Sequence, residues 1–219
     1  MRKIIQKHKE AWSQKPFIIS ALLSLLLIIL SLGFNYLAGT YASRNASNAV
    51  TDILLDHLPI VNVDFVFVEG FAIFLIFVLA LLLHEPKRMP FVLKSIALFI
   101  FIRAIFVSLT HIGPFPLHAA IDNDLIVKYI NFTGDLFFSG HTGVPYLMAL
   151  IFWQQKILRW IFIALSLFFA GVVLLGHLHY SIDVFAAFFI TFTIYHIAKK
   201  FFSKDYKIFM SVHETETPT

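Results

Sequence analysis

Six apolar runs, separated by short polar stretches, decide most of what this chain can become. They lie at about 17–39, 64–83, 91–110, 140–154, 157–176 and 181–198, and a bilayer crossing takes roughly 20 such residues. In lipid each backbone N–H and C=O must find a partner inside the chain, which leaves helices or closed barrels. Unbroken apolar runs read as helices. Composition agrees: 14% of residues are charged, 59% are hydrophobic and the mean hydropathy is +0.82, against about 25% charged in a soluble domain. The sequence predicts an all-α fold, a six-transmembrane-helix bundle over 17–200. A basic segment, 1–16, precedes it. A polar tail, 201–219, follows it and ends in His213–Thr219, which lacks an apolar period and reads as disordered. The first run has no small-residue cleavage site ahead of a short core, so it reads as a retained helix, not a signal peptide.

Charge orients the bundle. With six crossings both termini share a side, and that side gathers 14 of the 17 basic residues. By the positive-inside rule it is cytoplasmic. The other side keeps Arg44, Lys128 and Arg103 within helix 3. Two histidine-bearing polar islands fall on this second side: Gly134-Asp135-Leu136-Phe137-Phe138-Ser139-Gly140-His141-Thr142, and His177-Leu178-His179-Tyr180-Ser181-Ile182-Asp183. The reading is one active site at the non-cytoplasmic face. The basic residues flank apolar runs, so the net charge of +4 does not point to nucleic acid. The absence of cysteine excludes disulfides, thiolate catalysis and Cys-ligated zinc.

Ser139-Gly140-His141 opens an apolar helix. A helix start offers free N–H groups and the positive end of the dipole, which suit an anion. Gly140 would let that anion approach the backbone, and His141 can hold or release a proton near neutrality. The plainer reading is a helix cap with an interfacial histidine. His179 and Asp183 stand four apart, one turn along a helix. A carboxylate on one imidazole nitrogen fixes the tautomer and makes the other a better base or nucleophile. Arg103 in an apolar run marks a site or a buried partner. It can clamp a phosphate through paired N–H bonds, pair with Glu69 on helix 2, or do both. His177 has two open readings: it lines the site, or it snorkels to the interface. His111 and His118 read as loop residues, His84 and His196 as interfacial ones.

These residues resemble the type 2 phosphatidic acid phosphatase superfamily, and more closely its sphingomyelin synthase branch. Gly134-Asp135-x-x-x-Ser139-Gly140-His141-Thr142 and His179-Tyr180-Ser181-Ile182-Asp183-Val184 are similar to that branch's two catalytic motifs. Arg103 ahead of Gly113-Pro114, and Asp52 through Pro59 followed by Glu69, resemble its third helix and its outer loop with the second helix. The resemblance implies that His179 attacks phosphorus and forms a phosphohistidine, that Asp183 supports it, and that His141 protonates the leaving alcohol. It implies a substrate-binding set of Arg103, Asp135, Ser139, Gly140, His177 and Glu69. The superfamily's phosphatases carry a Lys-x6-Arg-Pro motif, absent here, and an arginine six residues before the catalytic histidine, where this chain has Val173. Fewer cations suit a singly charged phosphodiester better than a doubly charged monoester where water is scarce.

The expected function is therefore a lipid phosphotransferase. Its partners are a phospholipid donor, a lipid alcohol acceptor and the bilayer, with no nucleic acid, no metal and no cofactor. The alternative is a lipid phosphate phosphatase with water as acceptor. A transporter would spread its polar residues through the membrane depth, whereas these gather on one side. A metal site would draw on His141, His177, His179 and Asp183. Asn45-Ala46-Ser47 and Asn131-Phe132-Thr133 are glycosylation triplets on the outer side. Small size and the Phe- and Ile-rich composition point to a bacterial inner membrane, with the active site periplasmic; in a secretory pathway it would be lumenal.

Overall fold

The computed structural model of the protein describes residues 2–121 and 136–216. Among them all regular structure is helical. The helices are α1 (Arg2–Trp12), α2 (Lys15–Arg44), α3 (Phe71–His84), α4 (Met89–Leu109), α5 (Gly140–Ile151), α6 (Lys156–Leu175), α7 (Ser181–Phe201) and α8 (Ser203–Glu216). A π-helical turn, Val66–Gly70, leads into α3, and a 3-10 turn, Pro86–Arg88, leads into α4.

Five of the described helical segments are long and apolar enough to cross a membrane: Lys15–Arg44, Val66–His84, Pro86–Leu109, Lys156–Leu175 and Ser181–Phe201. The sixth expected span, the fourth in order, is not shown by length. The run at 140–154 folds as α5, which has 12 residues and rises only about 18 Å against a hydrocarbon core of about 30 Å. The cause lies at both ends. Ser139 caps its start, and the chain turns at Phe152, just ahead of Gln154-Gln155-Lys156. What α5 lacks in length it makes up in burial: Thr142–Pro145 and Leu147–Ile151 are all buried. It is the central strut, packed on α6 and α7. At Gly143 an added Cβ would lie 2.6 Å from the Phe99 ring and 2.9 Å from Thr191 Oγ1, so only glycine lets α4 and α7 close on it.

Phenylalanines fill the space around this strut. Phe74, Phe99, Phe138, Phe152, Phe162 and Phe169 share one buried cluster, while Phe65, Phe185, Phe189 and Phe201 are exposed on the apolar outer surface.

Both terminal helices sit at the end of the bundle away from the histidine islands. From α1, Lys7 pairs with Glu85 and His8 Nε2 bonds the Leu83 carbonyl at 2.7 Å. Residues 203–216, expected as part of a polar tail, form α8, with Asp205, Phe209 and Val212 buried. Phe209 packs on Phe91 and Phe152. Lys94 Nζ donates to Asp205 Oδ2 and to Ser20 Oγ, each at 2.7 Å, and Ser20 Oγ donates to Asp205 Oδ1 at 2.6 Å. This closed ring ties α2, α4 and α8 together.

Candidate active site

The second histidine island is shaped by the way α6 stops. Gly176 N–H bonds Val172 O, His177 N–H bonds Leu174 O and Leu178 N–H bonds Val173 O. That is a Schellman ending, and it puts His177 in the left-handed region at φ 52. The chain then turns into α7. Tyr180 precedes its first residue, and Asp183 lies in its first turn, where Asp183 Oδ2 accepts the Tyr180 N–H at 2.9 Å. His179 Nδ1 lies 3.5 Å from the same Oδ2, with both side chains buried. The contact lacks hydrogen-bond alignment: among the described residues, His179 Nδ1 and Asp183 Oδ1 are buried without a hydrogen-bond partner.

The first island meets this turn through one backbone bond. Ser139 N–H donates to the Asp183 carbonyl at 3.1 Å, docking the start of α5 onto the start of α7. Ser139 Oγ accepts from Thr142 N–H at 3.3 Å and Thr142 Oγ1 at 3.2 Å, so the hydroxyl acts as a helix cap. His141 is held between two rings, stacked on Phe67 at 3.9 Å and tilted against Phe71 at 4.1 Å. Its Nε2 lies 3.2 Å from the Phe67 carbonyl. A carbonyl only accepts, so Nε2 carries hydrogen and Nδ1 is the nitrogen left for proton transfer. His179 and Arg103 both lie close enough to act on His141 electrostatically.

Arg103 is buried on α4. Its Nε donates to the Phe138 carbonyl at 2.7 Å, and its Nη1 reaches Asn35 Oδ1 at 3.5 Å. A Cβ at Gly140 would stand 3.6 Å from Arg103 Nε. The missing side chain therefore keeps open the gap between the guanidinium and the helix start. The amides of Gly140 and His141 belong to the first turn of α5, where N–H groups have no partner inside the helix. A guanidinium, helix-start amides and two imidazoles converge here, a set able to hold a phosphoryl group and move a proton to or from it.

The structure thus brings together His141, His179, Asp183, Arg103, Ser139 and Gly140. Two other residues that the motifs single out have their described contacts elsewhere. Glu69 sits on the π-turn with its side chain exposed, and the bonds described for Arg103 go to Phe138 and Asn35. His177 turns toward segment 115–117: Nδ1 lies 3.0 Å from the Leu117 carbonyl and the ring meets Phe115 edge-on at 5.2 Å. Asp135, with Gly134 and the Asn131 triplet, lies outside the described residues. Among the described residues no three His, Asp or Glu side chains are gathered to hold a metal ion. Sequence reasoning misses Asn35, Phe67 and Phe71. Asn35 carries a signal, a polar side chain inside an apolar run. The two phenylalanines carry none, being indistinguishable from packing residues.

Comparison with known proteins bears on the same part of the chain. No curated protein and no solved structure matches it. Residues 133–200 match the family model described as PAP2 superfamily C-terminal. That stretch runs from just before the Ser-Gly-His turn almost to the end of α7 and contains both histidine islands. The match supports the type 2 phosphatidic acid phosphatase superfamily for the segment that carries His141, His179 and Asp183.

Proposed function

We propose that the protein is an integral membrane lipid phosphotransferase, similar to sphingomyelin synthases, that moves a phospho-headgroup from a phospholipid to a lipid alcohol. The observation that supports this best is the Ser139–Asp183 backbone bond, which sets the His141 helix start beside the His179–Asp183 pair. In the proposed reaction His179 Nε2 attacks phosphorus while Asp183 faces Nδ1. The bond from phosphorus to the diacylglycerol oxygen breaks, and that oxygen takes a proton from His141 Nδ1. The acceptor alcohol then attacks the phosphohistidine and gives its proton to His141 Nδ1, and the N–P bond breaks to restore His179. Arg103 and the amides of Gly140 and His141 carry the phosphoryl charge.

The favoured substrate is a phosphodiester. Val173, where the superfamily's phosphatases place an arginine, is buried in an apolar cluster with Val63, Phe67 and Val184 and supplies no charge. The runner-up is hydrolysis of phosphatidic acid-type monoesters, favoured by the phosphatase superfamily named in the family match. The proposed topology puts both termini in the cytoplasm and the site on the periplasmic or lumenal side, with a bacterial inner membrane as the setting. Product analysis on mixed phospholipids with fluorescent diacylglycerol or ceramide separates the two reactions. Labelled headgroup-bearing product supports transfer. Free inorganic phosphate from phosphatidic acid, with no transfer product, overturns it in favour of hydrolysis.

A further inference from the structure

The first turn of α7 is not held by α7 alone. The Ser181 N–H opens the helix and has no partner within it. It donates to Asp52 Oδ2 at 2.6 Å, from a loop far back in the chain. The other oxygen, Oδ1, accepts the N–H groups of Leu54 at 2.9 Å and Leu55 at 3.2 Å. One buried carboxylate therefore caps both its own turn and α7. Leu55, in that turn, is buried against Leu136 and Tyr180. The Tyr180 hydroxyl donates to Gly113 O at 2.8 Å and accepts from Val50 N–H at 3.2 Å, stitching the same loop to the segment after α4. Hydrogen bonds to a carboxylate are about twice as strong as neutral ones, and a negative charge at a helix start gains further from the dipole.

We infer that Asp52 is a positioning residue for the reaction. It fixes the first turn of α7 so that Asp183 faces His179 and its carbonyl receives Ser139 N–H. Asp52 acts through Ser181 and touches neither His179 nor substrate. It lies outside the residues that match the family model, and the inference rests on the roles proposed above for His179 and Asp183.

The test compares Asp52→Ala, Asp52→Asn and Leu55→Ala in the full-length protein, with rates corrected for folded fraction. A misplacement of about 1 Å can lower a rate by about 10²-fold, so Asp52→Ala should lower kcat by about 10- to 100-fold with KM nearly unchanged. Asp52→Asn should recover part of kcat, because its single carbonyl oxygen can serve only one of the two caps. Leu55→Ala should lose as much thermal stability or more, yet keep its kcat. Hydrogen exchange supplies a readout independent of activity: amides 180–184 should exchange faster in Asp52→Ala and not in Leu55→Ala. Equal kcat in Asp52→Ala and Leu55→Ala, or unchanged exchange at 180–184, overturns the inference. Turnover by His179→Ala would instead overturn the proposed chemistry, and the exchange comparison would still decide whether Asp52 holds the turn.

Discussion

Two buried clusters of charge lie at opposite ends of this bundle, and they are built differently. At the far end Lys94, Asp205 and Ser20 form a closed ring of three bonds, at 2.7, 2.7 and 2.6 Å. At the histidine end His179 Nδ1 and Asp183 Oδ1 have no hydrogen-bond partner among the described residues, although both side chains are buried. Leaving such atoms unpaired costs about 1–3 kcal/mol each. A closed ring holds helices together, and each of its nitrogen and oxygen atoms already has a partner within it. An open set retains nitrogens and oxygens that can still change partners, as proton transfer and nucleophilic attack require. The first cluster reads as a clamp and the second as a reacting site.

Substitution should separate them sharply. His179→Ala should bring turnover to background with folding intact, read as headgroup transfer per folded molecule. His141→Ala removes the proposed acid, whose kind typically contributes about 10²–10⁴-fold, so a residual rate should persist. Lys94→Ala should do the opposite. Breaking a buried pair by removing one partner costs about 3–5 kcal/mol, so thermal unfolding should move well down while kcat of the folded fraction stays near wild type. A Lys94→Ala protein that kept its stability but lost its kcat would erase the distinction between the two ends.

The smallest effect concerns pH. Burial of Asp52 opposes its charge, but bonds from the Ser181 backbone and side chain, and then from Leu55 and Leu54, outweigh it and hold the carboxyl below its usual range. A lowered folded-state pKa adds stability that is present above the unfolded value of about 3.9 and fades as pH falls through the folded one. Wild type should therefore lose some thermal stability on acidification below about pH 4, and Asp52→Asn should lack that part of the decline. Equal acid slopes in the two proteins would remove Asp52 from the set of charges that matter.

Much of this is legible in the residues, and the exceptions have physical causes. Hydropathy locates the long helices because lipid leaves an apolar run little other choice. It places the end of the first helix too early, at 39. The helix continues to Arg44 because Ala38 and Ala42 pack against Ala104 and Val107, a tertiary contact that no hydropathy window contains. It does not reveal that α5 is shorter than its neighbours, because an apolar core helix and a short crossing look alike in one dimension. It reads the tail as polar because Asp205 has a use only when Lys94 and Ser20 are beside it. At the site, His141, His179, Asp183 and Arg103 stand out as polar residues in apolar company. Phe67 and Phe71 around His141 do not, and Asp52 enters only through the resemblance of its loop, with no sign of its bond to Ser181, because these parts depend on contacts across 74, 70 and 129 positions of chain.

The most direct measurement is a chemical trap. The protein is incubated with a phospholipid labelled at its headgroup phosphorus, quenched in alkali, where phosphohistidine survives, and digested for peptide mapping. Label should appear on the peptide that contains His179 and vanish in His179→Ala together with all turnover. A well-folded His179→Ala protein that still moves the headgroup, or label that maps to a different histidine, would contradict the site described here.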